Sequence, residues 1–178
     1  SGNTFTYDPV PDWKLKHHDY FLEGKLEFLD NENEWFFNPE TKELYLYPPD
    51  GLDPNELEIR GKVQSYAFDI SNSDYVELKN IEFFATTFRF TNSDYGLVEG
   101  CNLFYPSCYK RMLGVVDTPP EMSIFTSSSN SKVSKSAFRF TDGSALEMYS
   151  GNNTIEACYF YHIDYTATDL NGLMTTIQ

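Results

Sequence analysis

Four segments of the chain share one spacing of apolar positions. A large apolar residue is followed three places later by a small or apolar one, and two places after that by another large apolar one. The sets are Leu78, Ile81 and Phe83; Val98, Cys101 and Leu103; Val133, Ser136 and Phe138; and Ile155, Cys158 and Phe160, at successive shifts of 20, 35 and 22 residues. The last two positions of each set alternate as a strand does, and the break before them marks a corner. Ahead of the sets stand short apolar–polar–apolar triplets: Phe68-Asp69-Ile70, Phe88-Arg89-Phe90 and Leu146-Glu147-Met148. Between triplet and set, Ser71-Asn72-Ser73-Asp74-Tyr75 returns as Thr91-Asn92-Ser93-Asp94-Tyr95.

Short strands broken by corners, once per ~20 residues, suit a coil that bonds to the coils above and below it. The pattern predicts an all-β fold, a right-handed parallel β-helix (solenoid). No Asn-Gly or Asp-Gly dipeptide links two strands inside the repeat, although Asp142-Gly143 and Asn171-Gly172 are turn signals. Asn72 and Asn92 fall one above the other at a corner, about 4.8 Å apart, where their amides are expected to form a ladder. The long interval holds Pro106, Pro119, Pro120 and Ser127-Ser128-Ser129, and reads as one coil carrying a surface loop.

The first third of the chain is patterned differently. Trp13 and His17-His18 lie in a segment of mixed charges and aromatics. Two aromatic-rich strands flank the polar turn Pro39-Glu40-Thr41-Lys42, which predicts a β-hairpin ended by Pro48-Pro49-Asp50-Gly51. The expected division is therefore 1–58, a hairpin and cap region, and 59–178, the coils, which continue past Gln178 or stand open there. Asn33-Glu34-Trp35-Phe36-Phe37-Asn38 and Leu44-Tyr45-Leu46-Tyr47-Pro48-Pro49 resemble the hairpin that precedes the coils in large right-handed parallel β-helix proteins. With the coils included, the resemblance runs from about Phe21 onward. It implies a secreted, extracellular protein of the polysaccharide-active class, glycoside hydrolase-like or lyase-like, while other members are structural. Such proteins are usually much longer than this chain.

Composition narrows the partners. The chain has 178 residues, 17% of them aromatic, and a formal charge of −14. Nucleic acid and anionic membranes are poor partners for that charge, and polyanionic sugars would need a metal or a local basic patch. No apolar run approaches the ~20 residues of a membrane span. With 13 basic residues, a neutral or weakly charged glycan is the preferred substrate. Of the cysteines, Cys101 and Cys158 share an inward column two rungs, roughly 9.6 Å, apart, too far for a disulfide. They read as buried thiols, and Cys101 with Cys108 is left open as a local pair. Asn152-Asn153-Thr154 is a glycosylation sequon on Asn152. No metal-site spacing occurs and no cofactor is called for; clustered aspartates leave calcium open.

Glycoside hydrolysis needs two carboxyl groups at a set separation. Asp142 and Glu147 flank one strand, and His162 and Asp164 follow on the next rung, so these four are the candidate acid–base residues. Phe84, Phe104, Arg139 and Tyr161 occupy one equivalent position, just after the last inward residue of each set. Turned outward they would form a sugar-stacking ridge; turned inward, which is the expectation, they would be core. The sequence therefore predicts a protein that binds or degrades glycans. The alternative is a structural or adhesive rod that associates end to end.

Overall fold

The computed structural model describes residues 24–107, 121–163, 168–170 and 176–177. The chain divides into two compact units, Ser1–Glu58 and Ile59–Gln178. In the first, β1 (Trp35–Asn38) and β2 (Glu43–Leu46) pair antiparallel, with Trp35 opposite Leu46 and Asn38 opposite Glu43. The turn sits where the sequence puts it. Asn38 Oδ1 accepts the backbone N–H of Glu40 at 3.0 Å and of Thr41 at 3.3 Å, and Lys42 closes the loop in the left-handed region at φ 63°.

The second unit is a parallel β-solenoid. Its first sheet contains β3 (Tyr66–Ser71), β6 (Thr87–Thr91), β9 (Ser123–Thr126), β12 (Leu146–Tyr149) and β15 (Thr168–Leu170). The second contains β4 (Glu77–Lys79), β7 (Leu97–Glu99), β10 (Lys132–Ser134), β13 (Thr154–Glu156) and β16 (Thr176–Ile177). The third contains β5 (Glu82–Phe84), β8 (Asn102–Phe104), β11 (Ala137–Thr141) and β14 (Tyr159–Ile163). All pairings in these sheets are parallel, so each coil lends one strand to each sheet in turn.

The registers are those of the sequence repeat. Leu78 pairs with Val98, Val98 with Val133 and Val133 with Ile155; Phe83, Leu103, Phe138 and Phe160 form a second such column. These side chains build the core together with Phe88, Phe90, Phe125, Leu146 and Met148. The strand β9 is absent from the sequence reading, which passes from Phe88-Arg89-Phe90 straight to Leu146-Glu147-Met148. Its Ser123 and Phe125 alternate inward, but Ser123 is polar and hides the pattern. Ser123 is buried all the same, and shares a 2.6 Å hydrogen bond with Thr87 on the neighbouring coil. Ser127–Ser129 accordingly belongs to the coil as a corner and not to the insertion.

Corners recur in the left-handed region, as at Asn72 (φ 52°), Asn92 (φ 49°) and Ser127 (φ 51°). Asparagine fits because it tolerates that conformation better than most residues. The expected amide ladder is replaced by two others. Ser73 N–H donates to Ser93 Oγ and Ser93 N–H to Ser128 Oγ, both at 3.1 Å. Beside them Asp94 N–H donates to Asp74 Oδ1 at 2.8 Å and Ser129 N–H to Asp94 Oδ1 at 2.7 Å. Short side chains reach the next coil's backbone directly, which satisfies donors that the corner takes out of the sheet.

Cys101 and Cys158 are free thiols with Ser136 between them; Cys101 is buried as expected, whereas Cys158 is only half-buried. Burial pushes the Cys101 thiol above its ordinary pKa, and the same cause acts on Cys158. Cys108 lies outside the described residues.

Candidate functional site

The column Phe84, Phe104, Arg139 and Tyr161 is in register across the third sheet, and it faces outward. The expectation that it is core is overturned. Alternation explains this: Phe83, Leu103, Phe138 and Phe160 take the inward direction, so their neighbours must point the other way. Phe84 is 45% exposed and Tyr161 44%, whereas Phe83 is 2% exposed.

The exposed surface is wider than that one column. The next position along each coil is held by Ala85, Tyr105, Phe140 and His162, all in the left-handed region at φ 51–57°. Tyr105 stacks on Phe140 at 5.4 Å, Phe140 stacks on His162 at 5.4 Å, and Phe84 meets Tyr105 edge-on at 5.7 Å. Tyr159, two residues before Tyr161, adds another exposed ring and stacks against it at 6.1 Å. The result is an outward aromatic ridge that crosses four coils. Tyr105, Phe140 and Tyr159 are missing from the sequence reading. The signal was available, since extending the aligned repeat by one place brings Tyr105, Phe140 and His162 into a single column.

Bulky residues at positive φ cost on the order of 1–3 kcal/mol each. The fold does not require rings there, because Ala85 fills the first position of the column and asparagines fill other corners.

Arg139 lies within the ridge. Its guanidinium sits 5.2 Å from the Phe104 ring centroid and 5.5 Å from that of Tyr159, and Nη1 donates to Asn102 Oδ1 at 3.2 Å. Arg60 lies over Phe84 at 5.4 Å. Each such contact contributes about 0.5–1 kcal/mol where exposed. The outward positions of the third sheet carry one carboxylate among the described residues, Glu82 on β5.

The four candidate acid–base residues are distributed over several elements. His162 is on β14, in the ridge, with its ring 4.2 Å from that of Tyr161. Asp142 is exposed in the bend between β11 and β12, and its carbonyl accepts the Ser107 hydroxyl at 3.4 Å. Glu147 is on β12 in the first sheet, in the outward column of Asp69, Arg89 and Ile124. It is nonetheless buried, and accepts a short hydrogen bond from the Tyr149 hydroxyl. Asp164 lies outside the described residues. Asn152 is exposed at a corner at φ 58°, while its neighbour Asn153 is buried and bonded to Ser128, Ser131 and Ser150. Among the described residues no three His, Cys, Asp or Glu side chains converge on a metal position, and no helix is long and apolar enough to cross a membrane.

Fold and surface together define a parallel β-solenoid with an exposed aromatic face. No family model, curated protein or solved structure matches the chain.

Proposed function

We propose that this chain is an extracellular glycan-binding β-solenoid whose ridge on the third sheet is the sugar-stacking surface. The observation that carries the reading is the outward run of Phe84, Tyr105, Phe140, Tyr159 and Tyr161, each more than a third exposed. Sugar rings have apolar C–H faces and polar edges. Aromatic side chains match such ligands because they offer a flat apolar face at little entropic cost. Coils spaced by about 4.8 Å set the rings along a line, which suits a linear chain better than a compact ligand. Tyrosine hydroxyls, Asn102 and the guanidiniums supply hydrogen-bonding groups at the rim.

The proposal stops at binding: hydrolysis needs two carboxyl groups flanking one bond, whereas Glu147 is buried on the first sheet and Asp142 lies in the bend between β11 and β12.

Affinity electrophoresis through gels containing linear polysaccharides tests the binding. The wild-type chain is expected to be retarded, and Tyr105→Ala and Tyr161→Ala to migrate freely. Reducing ends released by the wild-type chain, and lost in Asp142→Ala or Glu147→Ala, would add hydrolysis. Free migration of folded wild-type chain in every gel would defeat the proposal. Concentration-dependent light scattering would then be the measurement for the end-to-end rod.

A further inference from the structure

We infer that Arg139 makes the aromatic face selective for glycans carrying carboxylate or sulfate groups. The inference rests on the glycan-binding reading and reverses the preference for neutral glycans that bulk charge suggests.

The argument starts from how this acidic chain uses its cations. In the second unit Lys62 pairs with Glu121, Lys79 with Glu77, Arg89 with Asp69, Lys132 with Glu156 and Lys135 with Glu99. Arg139 has none among the described residues: it contacts two rings and one amide oxygen. The chain has 27 acidic residues, yet none among the described ones pairs with Arg139.

The surroundings also fit an anion. Phe104 and Tyr159 flank the guanidinium and Asn102 holds one nitrogen, so the planar group is oriented before any ligand arrives. The Nε and Nη2 donors make no hydrogen bond within the described chain. A guanidinium presents paired N–H groups that match a carboxylate or sulfate bidentately. A sugar ring stacked on Tyr161 or Tyr105 would direct an acidic substituent from its edge toward this group. The net charge of −14 opposes a polyanion at long range, but such repulsion is screened beyond about 8 Å at physiological salt.

The test is isothermal titration of the full chain, at physiological salt, with three length-matched linear glucans: unmodified, carboxymethylated and sulfated. The wild-type chain is expected to bind the anionic polymers about ten-fold more tightly than the neutral one, equivalent to ~1.4 kcal/mol. Arg139→Gln should bring the two anionic affinities down to that variant's own neutral-polymer value, and Arg139→Lys should keep part of the preference. A gain with one anionic polymer alone would identify which acid group the face accepts. Equal wild-type affinities, or an Arg139→Gln change that weakens all three polymers by one factor, would overturn the inference. Neutral-glucan binding that Tyr161→Ala abolishes would leave the glycan platform standing in that event. Absence of binding to any polymer would remove both. An unchanged thermal midpoint for Arg139→Gln establishes that the variant is folded.

Discussion

Phe90 lies face to face with Phe125, ring centroids 4.6 Å apart and planes 9° apart, across the insertion that separates their coils in sequence. Gly96 passes close beside this stack. A methyl group there would come within 2.8 Å of Phe90 Cε1 and 3.2 Å of Phe125 Cε1. Both rings are fully buried, so neither has room to turn away. Gly96→Ala is expected to lower stability by about 1–3 kcal/mol through overpacking. Urea denaturation measures it, and a midpoint equal to wild type would show that the stack yields more easily than its burial implies.

The serine ladder makes a separate prediction. Ser128 Oγ accepts the buried Ser93 N–H at 3.1 Å and donates to the Thr126 carbonyl at 3.1 Å. Ser128→Ala leaves a buried donor without its acceptor, a loss of about 1–3 kcal/mol. Ser73→Ala removes only an exposed hydroxyl bonded to the Ser71 carbonyl, and should change stability by less than about 0.5 kcal/mol. Equal losses in the two variants would argue that burial does not set the ladder's worth.

Asp69 gives the pH prediction. Hydrogen bonds from Arg89, at 2.9 Å from Nε and 2.5 Å from Nη2, hold its carboxyl below the ordinary aspartate pKa against a weaker opposing effect of burial. A depressed folded-state pKa means stability present above the unfolded value of about 3.9 and lost as pH falls through the folded value. The pair is well exposed, so the contribution is below about 1 kcal/mol. Arg89→Ala should therefore narrow the stability difference between pH 7 and about pH 2.5. Denaturation midpoints of wild type and variant at both values test this, and parallel losses on acidification would contradict it.

How far the fold was legible depended on what each position asks of a side chain. The inward columns of Leu78 and Phe83 demand large apolar residues, so the repeat and its register could be read directly. Strand β9 could not, because polar Ser123 stands where Leu146 stands on the next coil and leaves Phe125 as the one inward apolar residue of the strand. Asn72 and Asn92 were recognisable as corner residues, but their role is conformational, and the ladder falls to serine and aspartate. Alignment picks out the ridge column but does not fix its direction. Two adjacent columns of aromatics look alike in sequence, and only the Phe83 column can fill the interior.

Ala157 carries the last prediction. It sits at φ 51° in a corner column shared with Asn80 at φ 54°, Gly100 at φ 67° and Lys135 at φ 47°. The repeat aligns these four, so one backbone conformation has been met by an asparagine, a glycine, a lysine and an alanine. The left-handed conformation costs a residue with a Cβ roughly 1–2 kcal/mol, which asparagine partly recovers by local hydrogen bonding. Ala157 is exposed, so substitution there changes little packing. Ala157→Asn should raise the thermal midpoint, while Ala157→Val, whose branched side chain crowds the same conformation, should lower it. Ala157→Gly should fall near wild type, since relief of strain is offset by about 0.4–1 kcal/mol of added freedom in the unfolded chain. Thermal melts of the three variants give the order directly. A valine variant as stable as the asparagine one would mean that the corner relaxes out of the left-handed region, and that the strain assigned to Tyr105 and Phe140 in the equivalent ridge corner is overestimated too.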